Sequence, residues 1–119
     1  MCAAVAGALG ILLGAFAAHG LKARIGADLH ASFETAVRYQ MYHTLALFAA
    51  AWALAQWKHR AFAIGGWLFV AGIVLFCGSL YVVALSGIRA FGGLTPIGGL
   101  SFLAGWLCLT WGAAARLRS

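Results

Sequence analysis

Long apolar runs alternate with brief polar interruptions along this chain, and the runs have lengths that suit a bilayer. They occupy roughly residues 3–18, 38–57, 61–86 and 96–115. A hydrocarbon core about 30 Å thick needs about 20 apolar helical residues to cross it. The pattern predicts four membrane spans in a single transmembrane domain, residues 1–119, with no room for a soluble module. The expected fold class is all-α, an integral membrane four-helix antiparallel bundle. Its short connections favour an up-down-up-down path.

Small residues repeat inside the runs at helical spacing. Ala3, Gly7, Gly10, Gly14 and Ala17 follow one another at alternating steps of four and three. Gly98, Ser101, Gly105, Cys108, Gly112 and Ala115 do the same in the fourth run, and Gly65, Gly72, Ser79 and Ser86 fall at strict sevens in the third. The second run carries Ala46, Ala50 and Ala53. In lipid, burial of apolar surface no longer drives helix pairing, and close backbone approach across small residues does much of that work. A period of seven favours left-handed packing at about 20°.

The polar stretch after the first run is the longest. Asp28 is a candidate N-cap. Beyond it, Leu29, Phe33, Val37 and Met41 form one apolar face, while His30, Glu34 and Arg38 form a polar one. Glu34 ahead of Arg38 is the favoured order for a helical ion pair. This reads as a short interfacial amphipathic helix between spans one and two. A continuous helix from Leu29 to Trp57 would be about 43 Å long at 1.5 Å per residue, longer than the hydrocarbon core. Lys58, His59 and Arg60 make a tight turn flanked by Trp52, Trp57 and Trp67, residues that favour the membrane–water boundary. Thr95-Pro96 has the form of a helix start, Thr as cap and Pro in first position.

Composition removes several function classes. The chain is 65% hydrophobic and 8% charged, against about 25% charged in soluble domains, so it is no ordinary globular protein. Its net charge of +6 is scattered over short loops, with no basic stripe interleaved with aromatics, which argues against nucleic acid as a partner. Such charges set topology and touch anionic headgroups. The first run has no Lys or Arg ahead of it and lacks the basic start of a signal peptide, so it counts as a span. Cys2 follows Met1 with no lipobox before it, which argues against a lipoprotein. Cys2, Cys77 and Cys108 show no paired spacing and read as small apolar residues rather than metal or redox groups.

Connectivity brings the remaining chemistry to one end. In an antiparallel bundle, loops one and three share a membrane face, and with them both acids of the chain, Asp28 and Glu34. The candidate polar or ligand site there comprises His19, Glu34, Arg38, Tyr39, Tyr42, His43, Ser79, Tyr81, Arg89 and Thr95. Helix packing falls to Gly7, Gly10, Gly14, Gly65, Gly72, Gly98, Gly105 and Gly112. His43 shares a seam with Ala46, Ala50 and Ala53 and should point inward, where a polar group is costly unless paired. Glu34, Ser79 and Tyr81 are its candidate partners; the reading is either an interhelical lock or a ligand- or proton-handling group. His19, at the end of span one, suits carbonyl capping. His19 and His43 together would be the axial pair for a haem, an alternative without a supporting ligand spacing; no metal or other cofactor is expected. The start of span four, with Arg89 nearby, offers either simple capping or a phosphate seat. Orientation is undecided. Lys22, Arg24, Arg38 and Arg89 on one face balance Lys58, Arg60, Arg116 and Arg118 on the other.

Four ordered blocks carry a resemblance. They are Gly14-Ala15-Phe16-Ala17-Ala18-His19-Gly20-Leu21, then Phe33-Glu34-Thr35-Ala36-Val37-Arg38-Tyr39-Gln40-Met41-Tyr42-His43, then Gly78-Ser79-Leu80-Tyr81, and Thr95-Pro96-Ile97-Gly98-Gly99-Leu100. In these the chain resembles the YgdD-like small membrane proteins, a domain-of-unknown-function family. Ala17 stands where that family has Gly, and Cys77 where it has Ser; both remain small. The resemblance implies a four-helix protein of the bacterial inner membrane and no established activity. The residues themselves offer no nucleophile and no metal signature. The expected function is therefore non-enzymatic: binding a lipid or small amphiphile, or supporting a membrane complex, through the polar site. The alternative is a small oligomeric transporter or channel using His43, Glu34 and Arg38. It is weakened by both acids preceding the second span. Membrane lipid, a second copy of the chain or a larger complex are the expected partners.

Overall fold

The structure, a computed structural model, describes residues 1–117; Arg118, counted above among the basic residues of one face, lies outside them. The described residues are all-helical, with no strand. Helix α1 (Cys2–Phe16) ends in a π-helical turn, Ala17–Leu21. Helix α2 (Ala27–Trp57) follows. Helix α3 (Arg60–Gly72) passes through a second π turn, Ile73–Cys77, into α4 (Gly78–Ser86), and the two form one long rod. A 3-10 turn, Arg89–Leu94, leads into α5 (Thr95–Leu117).

Three helical stretches among the described residues are long and apolar enough to cross a membrane: Cys2–Leu21, Arg60–Ser86 and Arg89–Leu117. The run at 38–57 lies in α2, which has the length but not the hydropathy. The reason is visible in its packing. Gln40, His43 and Thr44 depress its apolar character, and all three are buried inside the protein. Large apolar side chains on the other helices instead face outward, among them Ile11, Leu12, Trp67, Leu100, Leu107 and Trp111. A surface of that kind is stable only in an apolar solvent.

The segment expected as a short interfacial helix leading into the second span is the first part of α2, continuous with the apolar run. Its apolar face is covered by protein: Phe33 is fully buried among Ala17, Leu21 and Ala84. Gly26 caps this helix, and Asp28, the expected cap, lies in its first turn. The Glu34–Arg38 pair does not form. Glu34 lies 3.8 Å from His30 instead. Both are at helical spacing from Glu34, and only His30 is held in place by another bond.

Glycine positions set which helices touch. Along α3 and α5, residue numbers rise on one partner and fall on the other. The ring of Phe62 packs where Gly112 has no Cβ, Phe69 against Gly105, the backbone of Phe76 against Gly98, and Phe102 against Gly72. Phe62, Phe69 and Phe76 thus form a heptad row complementary to the row Gly98, Gly105, Gly112. A Cβ at Gly65 would stand 3.0 Å from the Gly105 carbonyl oxygen. Here the backbones come close enough for rings to fill what side chains leave, and Ser101 Oγ donates to the Leu68 carbonyl at 2.7 Å. Helix α1 lies on α2 in the same head-to-tail sense, Gly7 facing Thr44, Gly10 facing Met41 and Gly14 facing Val37. Helix α2 is the common neighbour: it packs on α1, on α3 and on α4. The principal extents are 54 × 26 × 17 Å, so the long axis exceeds a hydrocarbon core of about 30 Å.

Candidate functional site

The ten polar candidates do not converge on one site. Four of them, together with Gln40 and Trp106, form hydrogen-bonded locks between helices; the others are exposed. His43 is buried and fully bonded. Its Nδ1 donates to the Tyr39 carbonyl at 2.7 Å, and its Nε2 accepts from the Trp106 indole at 3.3 Å. A carbonyl can only accept and an indole N–H can only donate, so these partners select the neutral ring with its proton on Nδ1. The ring also stacks on Phe102, centroids 3.5 Å apart and planes 9° from parallel. The expected partners Glu34, Ser79 and Tyr81 are not used. The partner is Trp106, on a helix too far along the chain for spacing to reveal. Neither ring nitrogen is open toward an axial ligand position.

Ser79 donates to the Phe76 carbonyl at 2.9 Å and lies 2.7 Å from the Thr95 hydroxyl. With the Ser79 proton committed to a carbonyl, Thr95 donates to Ser79. This ties the π turn of the α3–α4 rod to the start of α5, and it takes the Thr95 side chain away from the capping role expected of it. Tyr81 donates to Gln40 Oε1 at 2.8 Å, and Gln40 Nε2 donates to the Ala6 carbonyl at 2.7 Å. Gln40 was absent from the candidates, although an amide within an apolar run is itself a signal of an inward face. It joins α1, α2 and α4.

At the other extreme, His19, Glu34, Arg38, Tyr42 and Arg89 are exposed. Tyr39 is partly exposed and stacks on Phe76 at 4.7 Å. The capping assigned to His19 is performed by His30, whose Nε2 lies 2.9 Å from the Ala17 carbonyl at the first π turn. His30 reaches this carbonyl from the next helix. Glu34 and Arg38 border a shallow notch of about 220 Å³ with Gly14, Ala17 and Val37.

The larger concavity is elsewhere. Because α1 leans on α2 and makes little contact with α3, the surface of α2 between them is uncovered. Two adjoining compartments of about 310 and 450 Å³ follow that line and share Met1, Cys2, Leu47 and Val70. Their size is that of ligand sites, roughly 300–1,000 Å³. The walls are apolar: Val5, Leu9 and Leu13 from α1, Leu54 from α2, and Ala63, Val70 and Val74 from the rod. The inner compartment reaches the Gln40–Tyr81 pair; the outer one ends beside Phe62 and Trp67. The groove closes beyond Tyr81, where Ala17, Leu21, Phe33 and Ala84 pack together. Its mouth is therefore at the end with the Lys58–His59 turn, opposite the polar face singled out in the sequence.

Comparison with known proteins gives a consistent picture. The profile of the family described as "Protein of unknown function (DUF423)" matches residues 13–99. Similar proteins include the UPF0382 membrane protein SH2409 of Staphylococcus haemolyticus, 46% identical over 81% of this chain and 78% of the relative. The UPF0382 membrane protein YwdK of Bacillus subtilis is 39% identical over 92% and 89% respectively. The UPF0382 inner membrane protein YgdD of Escherichia coli K12 is 41% identical over 93% and 85%. No solved structure matches. With its span-capable helices, this chain is likewise a multi-pass protein of the bacterial inner membrane.

Proposed function

This chain belongs to the DUF423 family, and we propose that it is a non-enzymatic antiparallel four-helix membrane bundle that holds a membrane lipid or similar amphiphile in the groove between α1 and α3. In this reading α2 is the fourth span, its polar residues turned onto its neighbours, with its first turns in the headgroup layer. One observation carries the reading: a laterally open apolar trough whose walls are helices and whose inner end is a hydrogen-bonded Gln40–Tyr81 pair. Apolar walls with few, fixed polar groups are what a binding site for an amphiphile needs. The transport reading has no comparable support, since Arg38 and Glu34 are exposed and His43 is committed to Trp106 and Tyr39.

The test is native mass spectrometry of the full chain released from lipid nanodiscs. The reading expects a lipid mass retained on the protein. It expects that mass to be lost in Gly78→Leu, because Gly78 lines the groove and has open space where a side chain would go. Retention equal in the variant and the parent would mean that the lipid sits elsewhere.

A further inference from the structure

We infer that the groove selects an anionic phospholipid, its acyl chain lying over Leu47 and its phosphate beside Lys58 and Arg60. The inference rests on the groove reading above and adds the headgroup and the direction of the bound molecule.

The closed end fixes the direction. Beyond Tyr81 the groove is shut by the packed apolar residues Ala17, Leu21, Phe33 and Ala84, which leave no room and no charge for a headgroup. The acyl chain therefore lies inward and the headgroup sits at the mouth, beside Leu54, Phe62 and Trp67. Trp57 and Trp67 stand at the same end, where indole rings favour the boundary layer.

Charge fixes the headgroup. Leu54 and Phe62 line the mouth, and the turn between α2 and α3 joins them. Lys58 bonds back to the Leu54 carbonyl through its own N–H, and Arg60 opens α3 two residues before Phe62. Both side chains are exposed, and neither has a salt bridge or hydrogen bond among the described residues. His59 contributes no charge of this kind: its Nδ1 accepts from the Ala61 N–H and caps α3. Asp28 and Glu34 are in the first turns of α2 and belong to the opposite end. Two cations above an apolar trough, with no acidic side chain beside them among the described residues, suit a phosphate with no ammonium of its own. Arg60 can meet it through two parallel bonds.

The experiment uses the full chain in nanodiscs of equal parts phosphatidylglycerol and phosphatidylethanolamine, with the retained lipid identified by native mass spectrometry. Enrichment of phosphatidylglycerol by roughly tenfold or more is expected, the order that two basic side chains near a headgroup supply. In Lys58→Gln/Arg60→Gln the enrichment should vanish while a lipid is still retained. In Lys22→Gln/Arg24→Gln, at the opposite end, it should persist. A lipid retained without preference by the parent chain overturns the anionic assignment and leaves the groove standing. Equal loss of preference in both double variants also overturns it, because the attraction is then spread over the whole surface. No retained lipid of either kind removes the groove reading and this inference together.

Discussion

The two flanks of α2 are built on different rules. On the α3–α5 side, Phe62, Phe69, Phe76 and Phe102 fill the surface of facing glycines, Ser101 reaches a backbone carbonyl, and His43 is sandwiched against Phe102. On the α1 side the same small-residue device is present, but its glycines face the ends of flexible or branched side chains, Met41, Thr44 and Val37. Thr44 even leaves its hydroxyl without a partner. Only Ala3 and Gly10 of α1 are buried. Glycine spacing alone therefore does not make a tight interface. It makes a permissive one, and complementary rings on the partner decide whether the space is filled. The filled flank is a scaffold; the unfilled flank leaves the apolar groove open.

Glycine substitutions should separate the two flanks most sharply. Gly98→Leu would drive a side chain into the Phe76 backbone, which cannot move aside. We expect a loss of about 3 kcal/mol or more, read as a collapse of thermal stability in detergent. Gly7→Ala meets only the Thr44 methyl at 3.3 Å and should cost under about 1 kcal/mol. Similar costs for the two would erase the distinction. Next in size, His43→Ala removes a stacked ring and two bonds and should cost about 2–4 kcal/mol. Trp106→Phe, which removes the indole donor and part of the ring but keeps an aromatic in place, should cost about 1 kcal/mol. The ratio of the two in chemical unfolding measures how much of the lock is stacking. Gln40→Leu cuts the bonds to Ala6 and Tyr81. Its cost should be about 1 kcal/mol, with faster hydrogen exchange in α1 and unchanged exchange in α5; acceleration in both would mean the flanks are coupled. Gly78→Leu should be the mildest, within about 0.5 kcal/mol of the parent, since nothing lies within 4 Å of the added Cβ. Its effect should appear in retained lipid instead.

Much of the architecture was legible in the residues, and parts of the chemistry were not. The apolar lengths announce membrane helices, since a bilayer imposes a length on any segment that crosses it. Phe62, Phe69 and Phe76 also repeat at sevens and would have been readable as the counterpart of the α5 glycines. His30 was read as one member of a polar face, whereas it bonds to the Ala17 carbonyl; that contact depends on how α2 folds back beside the end of α1, which no spacing announces. Gln40 is an amide in a stretch otherwise weighed by hydropathy, and the same averaging leaves α2 short of the apolar character of its neighbours.

Local sequence, acting through helical periodicity and the cost of exposing polar backbone to lipid, determined that this chain forms membrane helices with glycine-lined faces. The tertiary structure decided which faces meet, that His43 pairs with Trp106 sixty-three residues away, and that the uncovered strip of α2 opens at the Lys58–Arg60 end. Those outcomes depend on how whole helices share one common neighbour. A helix that leans on α2 alone leaves a trough whose position is written in no single segment.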